Sequence, residues 1–386
     1  MESNQDVINI DGSEEEGGGQ MFRMSVALAQ ILAKPLVVSN IRANRKPPGL
    51  KDQHLVGLKA MIEMSNAEST GAKMGSSEVY FESEGTIENK EISAECKGAG
   101  SMQLLLQVLL PAIIFAKNPE REETTVHMKG GSIGNWAPSY VSINHILKPL
   151  LANFGVDFSY SVKKHGFFPD VRGSCDLVAT PSELPLRPID FTKRAPVVSV
   201  DLRSVYCNKH MKEAYESQIS GGLIPSLNEK LSELGLEVTE HSEYCEIKNP
   251  RAKAATLYCS CIITLENGLI LEKELLFDGI KHVKKIVKGE YTSMPMTEEI
   301  DKYLQDILEL INNETLCVDE HHADQIMIFM ALAEGTSNIR TVSPLTGHIN
   351  GMIRILNQVV PDAEIETTEF EGTTELKITG IGLKRS

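Results

Sequence analysis

Cysteine pairs are what this 386-residue sequence most plainly lacks. Its seven cysteines, Cys96, Cys175, Cys207, Cys245, Cys259, Cys261 and Cys317, are scattered and odd in number, and none forms a Cys-x-x-Cys motif. That pattern points to a reducing compartment and to no zinc site. No run is apolar and long enough to span a membrane; the nearest, Leu104 to Ala116, is too short. The first residues, Met1 to Asp6, lack the basic and apolar regions of a secretory signal, so an intracellular location, nuclear or cytoplasmic, is expected. Positive charge is also scarce: 38 Lys and Arg face 53 Asp and Glu, a net charge of −15. Broad non-specific nucleic-acid binding rests on basic surface and is disfavoured, whereas a local basic pocket is not. Arg42, Arg45 and Lys46, in a loop stiffened by Pro47 and Pro48, are candidates for one, with a solvated loop as the plain alternative.

What is present is ordinary in bulk and unusual at the start. An apolar fraction of 41% and a charged fraction of 24% suit a globular chain with a sizeable core and more than one domain. Val7 to Ile10 reads as a strand, followed by the acidic, glycine-rich run Asp11-Gly12-Ser13-Glu14-Glu15-Glu16-Gly17-Gly18-Gly19-Gln20. Met21, Met24, Val26, Ala27, Leu28, Ile31 and Leu32 then recur at helical spacing. Glycines at a strand-to-helix junction let a ligand approach the backbone, and a helix N-terminus offers free N–H groups to an anion. Neighbouring carboxylates suit a divalent cation on phosphate oxygens. A tight turn with a solvated acidic run is the competing reading. The run is not a P-loop, because no Gly-Lys-Ser/Thr follows.

Strand and helix patterns alternate along the first part of the chain. Strands are expected at 35–38, 77–81, 126–129 and 156–162, and helices at 53–62, 102–115 and 140–154. A unit of strands with two helices recurs without a fixed sequence period. The proline-rich stretch 181–188 reads as a boundary. A compact insert follows, and from Met296 helices (296–311, 323–333, 349–359) and strands (338–342, 374–378) resume. Among ten histidines, His348 opens a helix after a turn, a good place to present a side chain; His321 and His322 precede another helix. A neutral imidazole can attack phosphorus and hold a nucleotide covalently, though no local rule separates that role from a hydrogen bond at a helix start.

Taken in order, the motifs resemble the RNA 3′-terminal phosphate cyclase family. They are Asp11-Gly12-Ser13, Glu16 to Gln20 with Arg23, Ile41-Arg42-Ala43 with Arg45, and Pro48-Gly49-Leu50 with Gln53-His54-Leu55. Gly75 to Glu78, Gly100-Ser101 with Gln107 and Leu110-Pro111, Gly130-Gly131 with Ala137-Pro138, and His165 to Pro169 follow. Asp324-Gln325 with Met330 to Ala333, and Thr346-Gly347-His348, complete the set. The resemblance implies an α+β fold built from α/β-type repeats, each a four-stranded sheet with two helices, plus a smaller inserted α/β domain. The expected division is a large domain over 1–185 and 286–386, with the insert over 186–285.

The resemblance also implies an activity. ATP would adenylylate a histidine, AMP would pass to an RNA 3′-phosphate, and the 2′-hydroxyl would displace it to leave a 2′,3′-cyclic phosphate. His348 takes the nucleophile's position. Gln107, Pro138, His321, Asp324 and Gln325 match the nucleotide pocket, Arg23, Arg42 and Arg45 the RNA phosphate end, and Glu16 a ligand of a divalent metal, Mg or Mn. RNA ending in a 3′-phosphate is the implied partner, without membrane or zinc, and the oligomeric state stays open. The chain departs from the family pattern at Glu14 and Glu15, at Val141 in place of an aspartate, at Asp170 to Gly173 in place of a glycine-rich run, and at Ile349-Asn350. A non-catalytic cyclase-like scaffold in ribosome biogenesis is the alternative. An enolpyruvyl transferase, which shares the repeated architecture, is a more distant one.

Overall fold

The computed structural model describes residues 7–15, 17–249 and 251–385. Its first unit holds β1 (Ile8–Asp11), α1 (Gly19–Leu32), β2 (Leu36–Ser39), α2 (Asp52–Ser65), β3 (Glu68–Thr70) and β4 (Val79–Glu82). β1 and β2 run parallel, so the chain between them must cross over, and α1 makes that crossing. β4 closes antiparallel on both β2 and β3, giving the order β1-β2-β4-β3.

The second unit repeats this plan with β5 (Glu91–Glu95), α3 (Met102–Ile114), β6 (Thr124–Gly130), α4 (Tyr140–Ser142), α5 (Lys148–Ala152), β7 (Phe158–Lys164) and β8 (Gly173–Ala179). Its order is β5-β6-β8-β7. The helix expected over 140–154 is interrupted by a π turn at Ile143–Leu147, between α4 and α5.

A third unit opens with β9 (Asp190–Phe191) and is then interrupted. The interruption comprises β10 (Val197–Cys207), α6 (Lys209–Ala214), a π turn (Tyr215–Leu223), α7 (Ile224–Leu231), β11 (Val238–Cys245), β12 (Thr256–Leu265), β13 (Ile270–Asp278), α8 (Ile280–Val287) and α9 (Thr297–Asn312). Its sheet has the order β11-β10-β12-β13. The third unit resumes with α10 (Glu320–Leu332), β14 (Glu334–Val342), α11 (Gly347–Val359), β15 (Glu364–Phe370) and β16 (Thr373–Ile381), in the order β9-β14-β16-β15. The α+β repeats and the smaller α/β insert are therefore both present.

β9 pairs with β14, Asp190 against Asn338, so the proline-rich approach at 181–188 leads into the third unit. At the other end, the Tyr303 hydroxyl on α9 lies 3.0 Å from the Lys273 carbonyl of β13 and 3.3 Å from the Cys259 carbonyl of β12, so α9 packs on the insert's sheet.

The helices of the units pack against one another above their sheets. Gln20 to Ile31 of α1 are all buried, more than an amphipathic stripe would give, because α2, α3 and α11 flank α1. α3 is buried almost all round, as its unbroken apolar sequence predicts. Phe115 and Phe154 meet Phe329 of α10 at ring-centroid distances of 5.9 and 6.1 Å, tying the second unit to the third.

The seam between insert and large domain is polar. His322 Nδ1 lies 2.8 Å from the Asp319 carboxylate, and its Nε2 lies 2.8 Å from the Ser142 hydroxyl and 3.8 Å from Glu272 of β13. All four side chains are buried. Burial alone would lower the His322 pKa, but the carboxylates of Asp319, Glu272 and Glu274 outweigh it and raise the pKa. A charged imidazolium bound to Asp319 satisfies a pair that would otherwise be costly to bury.

Candidate active site

Gln20 and Arg23 sit three residues apart and share one face of α1. Gln20 Nε2 donates to the Asp324 carboxylate of α10 at 2.6 Å. Gln20 Oε1 lies 2.9 Å from His348 Nδ1, in the first turn of α11. The chemistry fixes the direction of this chain. An ionised carboxylate only accepts, so the Gln20 amide turns its NH2 towards Asp324 and its carbonyl towards the ring. A carbonyl oxygen also only accepts, so Nδ1 carries the imidazole proton. In the neutral ring Nε2 then carries the lone pair, on an exposed side chain.

Each helix end that carries these groups has its own local cause. Thr346 caps α11 by accepting from the Ile349 N–H at 3.3 Å, which sets His348 in the first turn. Asp319 caps α10 through the N–H groups of His321 and His322 at 3.0 and 3.1 Å. Asp324 keeps a partly exposed surface, yet the surrounding protein strips away enough water to push its carboxyl up to about 6. A positive charge on His348, when its ring is protonated, would pull the other way.

A second cluster adjoins the first. Arg23 donates to Gln107 Oε1 of α3 at 3.2 Å. Gln20, Gln107, Asp324 and Gln325 line one cleft, whose apolar walls include Leu106 and Phe329. On the far side of Arg23 lies the buried ring of His54 in α2, whose Nδ1 accepts the Lys51 N–H at 3.2 Å. Burial, reinforced by Arg23, Arg42 and Lys51, pushes the His54 pKa down to about 3, so this ring is neutral and its proton sits on Nε2.

A Cβ built on Gly19 would stand 2.1 Å from that Nε2 and 2.8 Å from the Arg23 guanidinium. The third glycine is therefore a steric necessity, keeping the first turn of α1 against two donors. Gly18 offers no side-chain cap there. Helix N–H groups, a guanidinium and a neutral imidazole N–H together make a site for an oxyanion.

The structure brings His348, Asp324, Gln325, Gln107 and Arg23 together through Gln20. It places the other sequence candidates differently. Arg42 is buried at a φ of 53°, and its guanidinium donates at 3.0 Å to both the Pro47 and Gly49 carbonyls, bracing its own loop. Arg45 follows half-buried, its N–H 3.0 Å from the Arg42 carbonyl. His321 is exposed, with its ring turned towards Glu320 at 3.7 Å. Pro138 leads into α4 and is not part of the cleft wall. Glu16 lies outside the described residues.

Of the nearby described carboxylates, Asp11 accepts from Ser13 and Asn40, Glu14 is held by both arms of Arg354 on α11, and Glu15 is exposed. Two of the departures are packed into the structure, whereas Glu15 takes up a left-handed φ of 51°. Val141 is buried, and Asp170 accepts the Lys253 N–H of the insert at 3.1 Å. Gln20 and His54 were missed as functional groups, although both stand in the quoted motifs. The spacing of Gln20 from Arg23 on one helical face was the available signal.

A family model described as RNA 3′-terminal phosphate cyclase matches residues 14–365. A protein of Hyperthermus butylicus named RNA 3′-terminal phosphate cyclase is 30% identical over 385 residues, 98% of this chain and 100% of that one. One of the same name from Drosophila melanogaster is 29% identical over 357 residues, 92% of this chain and 91% of its own. A probable cyclase of Dictyostelium discoideum is 29% identical over 350 residues, covering 90% and 75%.

Proposed function

Since the chain belongs to the RNA 3′-terminal phosphate cyclase family, we propose that it converts an RNA 3′-phosphate to a 2′,3′-cyclic phosphodiester at the expense of ATP, through a covalent His348–AMP intermediate. The observation that carries this reading is the chain Asp324–Gln20–His348, which leaves Nε2 unprotonated.

In the first step Nε2 attacks the α-phosphorus of ATP and pyrophosphate leaves. The ring becomes positive as the N–P bond forms, and its Nδ1–H stays on Gln20, backed by the Asp324 carboxylate. In the second step an oxygen of the RNA 3′-phosphate attacks the adenylyl phosphorus and the imidazole leaves neutral. A phosphate monoester is a poor electrophile; adenylylation gives it a good leaving group. The vicinal 2′-hydroxyl, already held close, then attacks the 3′-phosphorus, loses its proton and expels AMP.

Arg23, the His54 Nε2–H and the α1 N-terminus suit the phosphate oxygens, and the cleft between Gln107 and Asp324–Gln325 suits the nucleoside. Arg45 is assigned to the RNA end. Glu16 is the proposed ligand of a divalent cation, which would neutralise phosphate charge. Incubation with ATP labelled at the α-phosphate tests the reading. Label should appear on the protein as an acid-labile, base-stable phosphoramidate, and His348→Ala should lose it while remaining folded. Label retained by that variant would move the nucleophile elsewhere. No label on the wild type would favour the scaffold reading.

A further inference from the structure

A second constellation lies at the junction of the second unit and the insert, outside the site above. His165 follows the end of β7, while Glu243 and Cys245 stand two residues apart on β11 and so share one face of that edge strand. His165 Nε2 lies 3.1 Å from Glu243 Oε1, and Cys245 Sγ lies 3.8 Å from the same oxygen. One ligand atom from each of the three falls within 4.8 Å of the others.

We propose that His165, Glu243 and Cys245 bind a borderline-soft divalent cation such as Zn2+, which ties the insert to the second unit. Tetrahedral bonds of about 2.0 Å to N and O and 2.3 Å to S hold neighbouring ligand atoms roughly 3.3–3.5 Å apart. The 3.1 and 3.8 Å separations bracket that range, so an adjustment of the exposed Glu243 side chain towards the other two ligands closes the site.

The surrounding groups orient the ligands as outer partners of a metal site do. The Ser132 hydroxyl is 3.1 Å from His165 Nδ1, accepts the Gly166 N–H at 3.0 Å and reaches the Gly166 carbonyl at 3.3 Å. With the hydroxyl proton on that carbonyl, Nδ1–H donates to Ser132 and Nε2 turns its lone pair to the cation. Tyr140 donates to the other oxygen of Glu243 at 3.3 Å, and its ring lies 4.7 Å from that of His165. Glu243 is exposed and Cys245 half-buried, leaving room for a water as fourth ligand. On binding, the Cys245 thiol releases its proton to solvent as the S–metal bond forms. One N, one S and one carboxylate suit zinc or cobalt better than magnesium, which prefers oxygen.

Cobalt is the probe. The full-length protein, stripped with a chelator and titrated with Co2+, should take up one equivalent with a thiolate-to-cobalt charge-transfer band and the visible bands of a tetrahedral ion. Zn2+ should bleach both. Cys245→Ser should abolish the charge-transfer band and Cys207→Ser should keep it, although Cys207 is its neighbour in the β10–β11 register. Glu243→Gln, at an exposed position, should weaken Co2+ binding at least tenfold with an unchanged circular dichroism spectrum, and it decides the matter if the cysteine variant fails to fold. Cobalt held by carboxylates at the nucleotide loop would give no thiolate band. Absence of the band in the wild type, its persistence in Cys245→Ser or its loss in Cys207→Ser would overturn the proposal, as would unaltered affinity in Glu243→Gln.

Discussion

The imidazole of His348 and the carboxylate of Asp324 do not touch; the Gln20 amide stands between them, 2.9 Å from one and 2.6 Å from the other. Because Asp324 titrates near pH 6, this relay has a pH limit. Above pH 6 the ionised carboxylate fixes the amide and hence the Nε2 lone pair. Below it a protonated Asp324 can donate instead, and the amide is free to flip. Adenylylation should therefore fall as pH drops through about 6. In Asp324→Asn that limb should shift or flatten, with a plateau lower by about 10- to 100-fold. A pH–rate profile in single-turnover labelling is the measurement. An acid limb identical in the two proteins would assign the titration to another group.

Gly19→Ala should impair the phosphate site more than any neighbouring glycine change. The added Cβ meets the buried His54 ring, which has no room to retreat. The expected cost in stability is about 1–3 kcal/mol. ATP binding should weaken at least tenfold, measured by calorimetry on protein that still melts cooperatively. Binding equal to wild type would show that the first turn of α1 does not face the phosphates.

Arg42 and Arg45 should separate. Arg42→Ala leaves the buried Gly49 carbonyl and the partly buried Pro47 carbonyl without their charged donor and should lower stability by about 1.5–3 kcal/mol, taking both labelling and cyclisation down together. Arg45→Ala should spare labelling by ATP alone and slow conversion of a 3′-phosphorylated oligonucleotide, with a reduced salt dependence of RNA binding. Equal behaviour of the two variants in a denaturant melt and in both assays would remove the distinction.

The buried His322–Asp319 pair predicts an alkaline loss of stability. The His322 pKa is raised in the folded chain, to about 9 against 6.5 unfolded, so its contribution is complete below pH 6.5 and disappears as pH rises through 9. The shift corresponds to roughly 3 kcal/mol at most. The melting temperature should decline across that window in the wild type. His322→Gln should be less stable at pH 6 and should keep only part of the alkaline decline, the part due to the buried Glu272 carboxyl, which burial pushes up to about 8. A wild-type melting temperature constant over the same range would refute an imidazolium at this seam.

Much of the fold was legible because helices α1 and α11 carry an apolar period, α3 is apolar nearly throughout, and the family motifs follow in order. The strands β5 and β15 were not, and their burial explains why. β5 buries only Ile92 and Ala94 between charged residues, and β15 is almost wholly exposed at a sheet edge. In the site, His348, Asp324 and Gln107 were legible through the resemblance. Gln20 was not, because an amide in a glycine-rich run has no chemistry until two distant helices reach it. Arg42 misled, because a guanidinium near a predicted phosphate looks identical in sequence whether it binds a ligand or its own backbone.

The interruption of the third unit also bears on the order in which the chain can become active. β9 and β14 must find each other across the insert: the Ile189 N–H meets the Ser337 hydroxyl 148 residues along. Gln20 and His348 are 328 residues apart. The first two units are built from local pairings and can form while the rest is still being synthesised, whereas the third has a large loop to close first. Emerging from the ribosome, the polypeptide thus sets Gly19, Arg23 and His54 in place early and receives His348 last. Under the proposed mechanism, truncated or half-made chains would trap no AMP, however well folded their beginnings.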